Sequence, residues 1–402
     1  MFNSAQYKEP TFFEIRRLED SKDVEGLIAV LKHSQNKNVI KLAIRALGRL
    51  KDDKAVEPLI DKATKGNYGI AVRQAAVRAL GDVGGDRATE ILIFVMLRDE
   101  HLRAHAAEAL GKIGDAKAVK PLIFVLEGEL EGEPEGEDEH QYVREKVVEA
   151  LGKIATEEAI ASLIGVLNTS LGEEVSLILK QIGEPAVDFL ISALDSKSQT
   201  MSPARGEVVT ILGEIGDKKA VQPLLSLLEN ENEDEVFRGN CVAAALGRIG
   251  STDAVEPLIK LASKHTEDVI TCGAVEALGD IGSCKAVDAL IAILEDDKTM
   301  VCPHLRLRAC RALRKLKDTR AIEPLIRILE NPGKTPYALE EAAASALVEL
   351  DDDRINLPLL RYFKVKLGVM TELKAPELGQ FSEMLETIGK LIFRLINKGR
   401  MS

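Results

Sequence analysis

The sequence predicts an all-α chain, an α-α superhelix of about ten helix pairs. Three observations predict it. A nine-residue segment recurs, a three-residue motif recurs between its copies, and the apolar spacing in both is helical. The longer segment is "DDKAVEPLI" at 52–60. It returns as "DAKAVKPLI" at 115–123, "DKKAVQPLL" at 217–225, "STDAVEPLI" at 251–259, "SCKAVDALI" at 283–291 and "DTRAIEPLI" at 318–326. The shorter motif is "ALG" at 46–48, 79–81, 109–111, 150–152, 245–247 and 277–279, with "ILG" at 211–213 and "ALR" at 312–314.

The leucine of the shorter motif serves as a ruler. It falls at Leu47, Leu80, Leu110, Leu151, Leu179, Leu212, Leu246, Leu278, Leu313 and Leu347. The steps run from 28 to 41 residues, and ten units of about 33 residues cover 22–350. The first helix of a unit carries "AVxPLIxxL", apolar at i, i+3, i+4 and i+7. Its Pro sits in the first turn, where a missing N–H is harmless. The second helix carries "VRxxAAxALGxIG", and glycine closes it. In the third unit its core face is Leu102, Ala106, Ala109, Leu110 and Ile113. A pair this short cannot bury its apolar stripe alone, but stacked pairs share one continuous core. Residues 1–21 form an N-terminal segment. Residues 351–402 leave the pattern and form C-terminal capping helices, with an apolar series running from Leu378 to Leu395. A dimerisation or partner-docking helix is the alternative for that series.

Composition narrows the function. Aromatic residues make up 4% of the chain and Trp is absent, so small and branched aliphatic residues must do the packing. The 65 acids exceed the 53 bases and give a net charge of -12, which argues against general binding of nucleic acid. The longest apolar run, "ILIFVML" at 91–97, is too short to cross a bilayer. The first twenty residues lack an apolar signal core, so a cytoplasmic location is expected. Five cysteines, an odd number, do not suggest a disulfide framework.

The repeats resemble the HEAT-like repeats first named for phycobilin lyases and also found in deoxyhypusine hydroxylases. The resemblance covers about four fifths of the chain and implies an ARM/HEAT-type solenoid. In the hydroxylases, adjacent His-Glu pairs hold iron. In register with the ruler, such a pair would stand six and five residues before each leucine. Those places read Ala104-His105 in the third unit, Asn240-Cys241 in the seventh and Leu307-Arg308 in the ninth, and none of the ten is His-Glu. His105 is therefore expected to be an exposed residue beside Glu108 and Lys112. The cysteines lack the CxxC pairing of zinc sites, and no metal or cofactor is expected.

The second helices should line one face, with the residues five and two before the leucine, and two after, pointing outward. The first two units then offer Arg45, Arg49 and Arg78. Units four to six are acidic or polar, with Glu149, Glu174, Glu207 and Glu214. Units seven and eight are small, with Cys241, Ala244 and Gly273. The ninth offers Arg308, Arg311 and Lys315 within "RLRACRALRKLKDTR" at 306–320, which carries seven bases and one acid. Arg45, Arg78, Cys241, Gly273, Arg308, Arg311 and Lys315 are the expected partner contacts. Arg103 and Arg238 are expected to pair with Asp99 and Asp234, four residues earlier. Long loops are expected at 127–140, 195–203 and 296–303, the first bearing eight carboxylates between 127 and 139.

The first functional reading is a non-enzymatic scaffold that binds another protein with an acidic or carboxylate-bearing surface. The second follows from the resemblance. Phycobilin lyases hold a tetrapyrrole with two propionates and deliver it to a cysteine, and arginines beside a roomy groove suit propionates. A hydroxylase relative without its iron ligands is the third.

Overall fold

A computed structural model describes residues 9–131, 137–195, 202–264, 268–296, 303–330, 335–350, 352–370 and 386–390. All regular structure among the described residues is helical. The chain divides into two compact units, residues 1–193 with 197–204, and residues 194–196 with 205–402.

In the first unit α1 (Phe12–Asp20) precedes the repeats. The pairs are α2 (Val24–His33) with α3 (Lys37–Leu50), α4 (Val56–Thr64) with α5 (Ile70–Val83), and α6 (Asp86–Arg98) with α7 (Arg103–Ile113). Then come α8 (Val119–Glu131) with α9 (Glu137–Ile154), α10 (Glu157–Gly165) with α11 (Gly172–Ile182), and α12 (Glu184–Asp195). Most of α13 (Ser202–Ile215) belongs to the second unit. There α14 (Val221–Glu229) pairs with a π turn over Phe237–Ala243 that continues as α15 (Ala244–Ile249). The remaining pairs are α16 (Val255–Ala262) with α17 (Val269–Ile281), α18 (Val287–Glu295) with α19 (Pro303–Leu316), and α20 (Ile322–Leu329) with α21 (Tyr337–Glu349), followed by α22 (Asn356–Met370).

The repeats begin alike because their first residues cap alike. The side chains of Asp52, Asp115, Asp217, Ser251, Ser283 and Asp318 each accept from the backbone N–H two residues on. That bond tightens one 3-10 turn, which runs directly into the first helix. An arginine then fastens the second helix to the first. Seven residues before the ruler leucine, Arg73, Arg103 and Arg306 donate their Nε–H to the carbonyls of Ala63, Met96 and Leu294. Those carbonyls end the preceding first helix and have no partner within it. In the seventh repeat the arginine stands eight residues before Leu246. The helix absorbs the extra residue as the π turn, and Arg238 still reaches the Leu228 carbonyl at 3.3 Å. The expected pairing with Asp99 and Asp234 gives way to these bonds. Asp99 pairs with Arg73, and Asp234 accepts from the Phe237 N–H.

Successive second helices touch through the small motif. A Cβ added at Gly81 would lie 2.7 Å from the Cβ of Ala109, one at Gly111 2.6 Å from the Cα of Ala150, and one at Gly279 2.8 Å from the Cα of Ala312. Glycine is required because backbone occupies the space. Leu47, Leu80, Leu110, Leu151, Leu179, Leu212, Leu246 and Leu278 are fully buried beside these contacts. In the third repeat Leu102, Ala106, Ala109 and Leu110 are buried as expected, and Ile113 is half-buried.

The expected loops are partly helical: α8 runs to Glu131 and α9 starts at Glu137. The centres of the three segments, 132–136, 196–201 and 297–302, lie outside the described residues. So does the apolar series 378–395, apart from the helical residues 386–390. Before it, α22 buries Leu359, Tyr362 and Phe363. Lys366 of α22 pairs with the fully buried Glu340 of α21 at 2.6 Å and lies against the rings of Tyr337 and Tyr362.

This packing yields three predictions. Gly111→Val places methyl groups in backbone and lowers unfolding free energy by about 2 kcal/mol or more. Gly165→Ala, where an added methyl meets nothing, leaves stability unchanged or slightly raised. Lys366→Ala strands the buried Glu340 carboxylate and costs about 3 kcal/mol. Urea denaturation followed by circular dichroism measures all three, and a neutral Gly111→Val would contradict the packing.

Candidate functional site

The second-helix face of each unit carries exposed polar side chains, as do the first helices and the turns that lead into them, where Arg87 pairs with Glu57 and Lys117 with Asp86. In the second unit, neighbouring repeats neutralise most of the basic stretch. Arg308 pairs with Glu276, Lys315 with Asp280, Arg314 and Lys317 with Glu349, and Arg320 with both Asp318 and Asp288. Arg306 holds the Leu294 carbonyl. That leaves Arg311 exposed, with no ion pair among the described residues.

The two small residues differ: Cys241 is partly accessible and Gly273 is not. Gly273 is buried, and a Cβ there would strike the carbonyl of Gly239 on the adjoining π turn. It is a helix–helix contact, so its expected place on a partner surface is corrected. Cys241 is half-buried, its sulfur 3.6 Å from where a Cβ of Gly206 would stand, and burial pushes its thiol up. Cys310 is fully buried and its thiol is pushed up to about 12, as expected of a cysteine that packs rather than reacts. Among the described residues, no group of three or more His, Cys, Asp or Glu side chains is placed to hold a metal.

In the first unit the structure brings Arg45 and Arg78 together. They line one groove of about 290 Å³ between α3 and α5, with Lys41, Arg49 and Gln74 around it and Ala71, Ala75 and Ala79 along it. Arg49 is taken by Glu19, whose two oxygens it meets at 2.5 and 2.8 Å, and Asp82 at the rim pairs with Lys112. Arg45 and Arg78 are exposed and Lys41 half-exposed, and among the described residues none of the three has an ion pair. Sequence reasoning missed Lys41 and Gln74. Both stand six residues before their leucines, a place it had tested only for iron ligands.

The next helix carries His105, which differs from its expected exposure. The ring is half-buried, and its Nδ1 is buried without a hydrogen-bond partner. Burial, and then the Arg78 guanidinium, hold its pKa below the usual value, while Glu108 opposes them.

A second groove, of about 530 Å³, lies between α9 and α11. Its lining is Gly152, Ala155, Leu177, Ile178, Ile182 and Pro185, with Glu149, Lys153, Glu174 and Gln181 as the polar groups. It exists because the motif changes there. The fifth repeat reads Ile178-Leu179-Lys180 in place of Ala-Leu-Gly. Ile178 presses its Cγ2 against Gly152 where other repeats place alanine, and α9 and α11 pack more loosely than their neighbours. Leu177 is left 56% exposed. A mostly apolar concavity with a few polar groups is the usual form of a small-molecule site. The departure from "ALG" was visible in the sequence and was the signal for this groove.

Comparison with known proteins agrees with the repeats. The family model for HEAT repeats matches residues 24–101 and 233–302, and that for the PBS lyase HEAT-like repeat matches 102–128, 143–169, 204–230 and 305–331. The chain is a HEAT-repeat protein with PBS lyase HEAT-like repeats. It is 36% identical over 115 residues to a phycocyanobilin lyase subunit alpha of Picosynechococcus sp., covering 27% of this chain and 41% of that protein. It is 34% identical over 118 residues to a bilin biosynthesis protein PecE of Nostoc sp., covering 29% of this chain and 45% of that protein. The chain thus spans less than half the length of either relative. Its fold also matches a crystal structure of importin beta, with a TM-score of 0.50 and 12% identity, over 97% of this chain and 62% of that one. Among the described residues, no helix of this HEAT-repeat protein is long and apolar enough to cross a membrane.

The depressed His105 pKa gives a pH dependence. The unfolded chain takes up this proton near the usual histidine value, and the folded chain only at lower pH. Stability is unaffected by this group above about 6.5 and falls as pH drops below it. His105→Asn removes that contribution. Denaturation midpoints at several values between about pH 7 and 5 measure the difference from wild type, and identical slopes would place the ring in solvent.

Proposed function

We propose that this chain is a chromophore-handling protein of the phycobilin lyase kind. It holds a linear tetrapyrrole on its second-helix face and presents it to a protein partner. The likeness to the two bilin proteins supports the class. The observation that carries the site is the apolar groove opened by Ile178. Its volume of about 530 Å³ lies within the roughly 300–1,000 Å³ of small-ligand clefts. Leu177, Ile178, Ile182 and Pro185 offer apolar contact to the flat pyrrole rings. Glu174 accepts from pyrrole N–H groups, and Lys153, which has no ion pair among the described residues, meets a propionate.

The scaffold reading, first from the sequence, is less favoured, because neighbouring acids already neutralise Arg308 and Lys315. Its remaining support in the second unit is Arg311, which is exposed and free of ion pairs. Protein binding is retained within the proposal as the step that receives the chromophore.

Titration with phycocyanobilin tests the reading by visible absorption. The wild-type protein shifts and sharpens the long-wavelength band to saturation. Leu177→Glu, at a site exposed enough to spare the fold, weakens binding by about tenfold or more, the effect expected from losing one buried leucine side chain. A spectrum that the protein leaves unchanged overturns the proposal.

A further inference from the structure

We infer that the groove between α3 and α5 binds an acidic peptide segment of a protein partner, with Lys41, Arg45 and Arg78 taking its carboxylates. The argument starts from how the second-helix face manages charge elsewhere. Several bases there are met by acids on adjoining helices: Glu19 meets Arg49, Asp82 meets Lys112, Glu276 meets Arg308 and Asp280 meets Lys315, whereas Lys153, Arg248 and Arg311 have no ion pair among the described residues. The first two repeats differ in gathering three unmatched bases along one groove. Arg45 and Arg78 occupy the same position, two residues before the leucine, on neighbouring helices. Both line one groove, and neither has an ion pair. Lys41 adds a third unpaired cation. Like charges on facing helices repel, and they do so here in a chain with a surplus of acids. An anionic ligand removes that repulsion.

Size and spacing narrow the ligand. At about 290 Å³ the groove is small for a cofactor and suits a few carboxylate side chains. Packed helices lie roughly 8–10 Å apart. Same-side residues of an extended peptide repeat at about 7 Å, so alternate acids reach guanidinium groups on successive helices. Arginine binds carboxylate through two parallel N–H bonds. Gln74, which also lines the groove, offers an amide that can pair with the peptide backbone. Ala71, Ala75 and Ala79 keep that side of the groove low, so a backbone can approach. A nucleic-acid strand carries a phosphate at every step and meets the acidic remainder of the chain, so a peptide is favoured.

The site is separate from the tetrapyrrole groove between α9 and α11, and its test is independent. The probe is a fluorescein-labelled peptide of alternating Glu and Gly, eight residues long, followed by fluorescence anisotropy on the full-length protein. Expected is saturable binding that weakens as salt rises, with the matching Gln/Gly peptide at least tenfold weaker. Arg45→Gln/Arg78→Gln, at two exposed positions, is expected to weaken binding at least tenfold with an unchanged melting temperature. Leu177→Glu is expected to retain it, so failure of the tetrapyrrole reading leaves this result standing. Equal binding of the Glu and Gln peptides, or of the double variant and wild type, overturns the inference. A single-stranded oligonucleotide that binds more tightly than the Glu peptide overturns it too, and assigns the groove to phosphates.

Discussion

The close contact between a glycine on one second helix and an alanine on the next sets the geometry of this molecule. At Gly81, Gly111, Gly213 and Gly279 an added Cβ would fall within 3 Å of the alanine opposite. The helices can approach so closely because neither residue presents a long side chain. Once they do, residues two before and two after the ruler leucine stand side by side on neighbouring helices. The ion pairs of that face follow from this constraint. Exposed pairs of this kind contribute little each to stability. Their effect is to decide which charges remain available to a ligand.

Both proposed sites are places where the repeating contact or its charge rule lapses. In the fifth repeat Ile178 replaces alanine and Lys180 replaces glycine, and an apolar groove opens against Gly152. In the ninth repeat Arg314 also replaces glycine, but there the larger side chain is absorbed. It donates to the Ser345 hydroxyl at 3.1 Å and lies near Glu349. In the fifth repeat the loss of glycine comes with an apolar incoming residue, Ile178, and an apolar neighbour left exposed. Leu177, on the turn next to Ile178, is that neighbour. Departures from a repeating rule without local compensation are where function is expected.

The fold was legible because its signals are local. Capping residues, the proline of the first turn and the "ALG" spacing all act within one repeat, so the ten helix pairs and most core positions could be read from the chain. The site was legible only in part, because it depends on what the next repeat supplies. Arg45 and Arg78 were found from their register, but their shared groove was not. Gly273 read as an open surface because the sequence does not show the π turn that brings Gly239 against it. A count would have shown the turn, since Arg238 stands eight residues before its leucine where other repeats have seven. His105 read as exposed because its burial depends on neighbouring helices.

The basic stretch 306–320 shows why linear charge misleads in a repeat protein. Its seven bases and one acid suggest a strong anion site. In space, Glu276, Asp280, Asp288 and Glu349 lie beside those bases, although each is between about twenty and forty residues from its partner in sequence. A repeat of about 33 residues brings a residue's counterpart in the next repeat close to it, so charge should be summed across neighbouring repeats at one register position. On that sum the ninth repeat is nearly neutral, while the first two repeats are basic: Glu108 stands in register with Arg45 and Arg78 on the next helix but, among the described residues, makes an ion pair with neither, and the one acid in their groove, Asp82, belongs to Lys112. The electrostatic field available to a partner is therefore strongest where the sequence shows only scattered bases. It is weakest where the bases are crowded, because crowded bases on this face were matched by acids one repeat away.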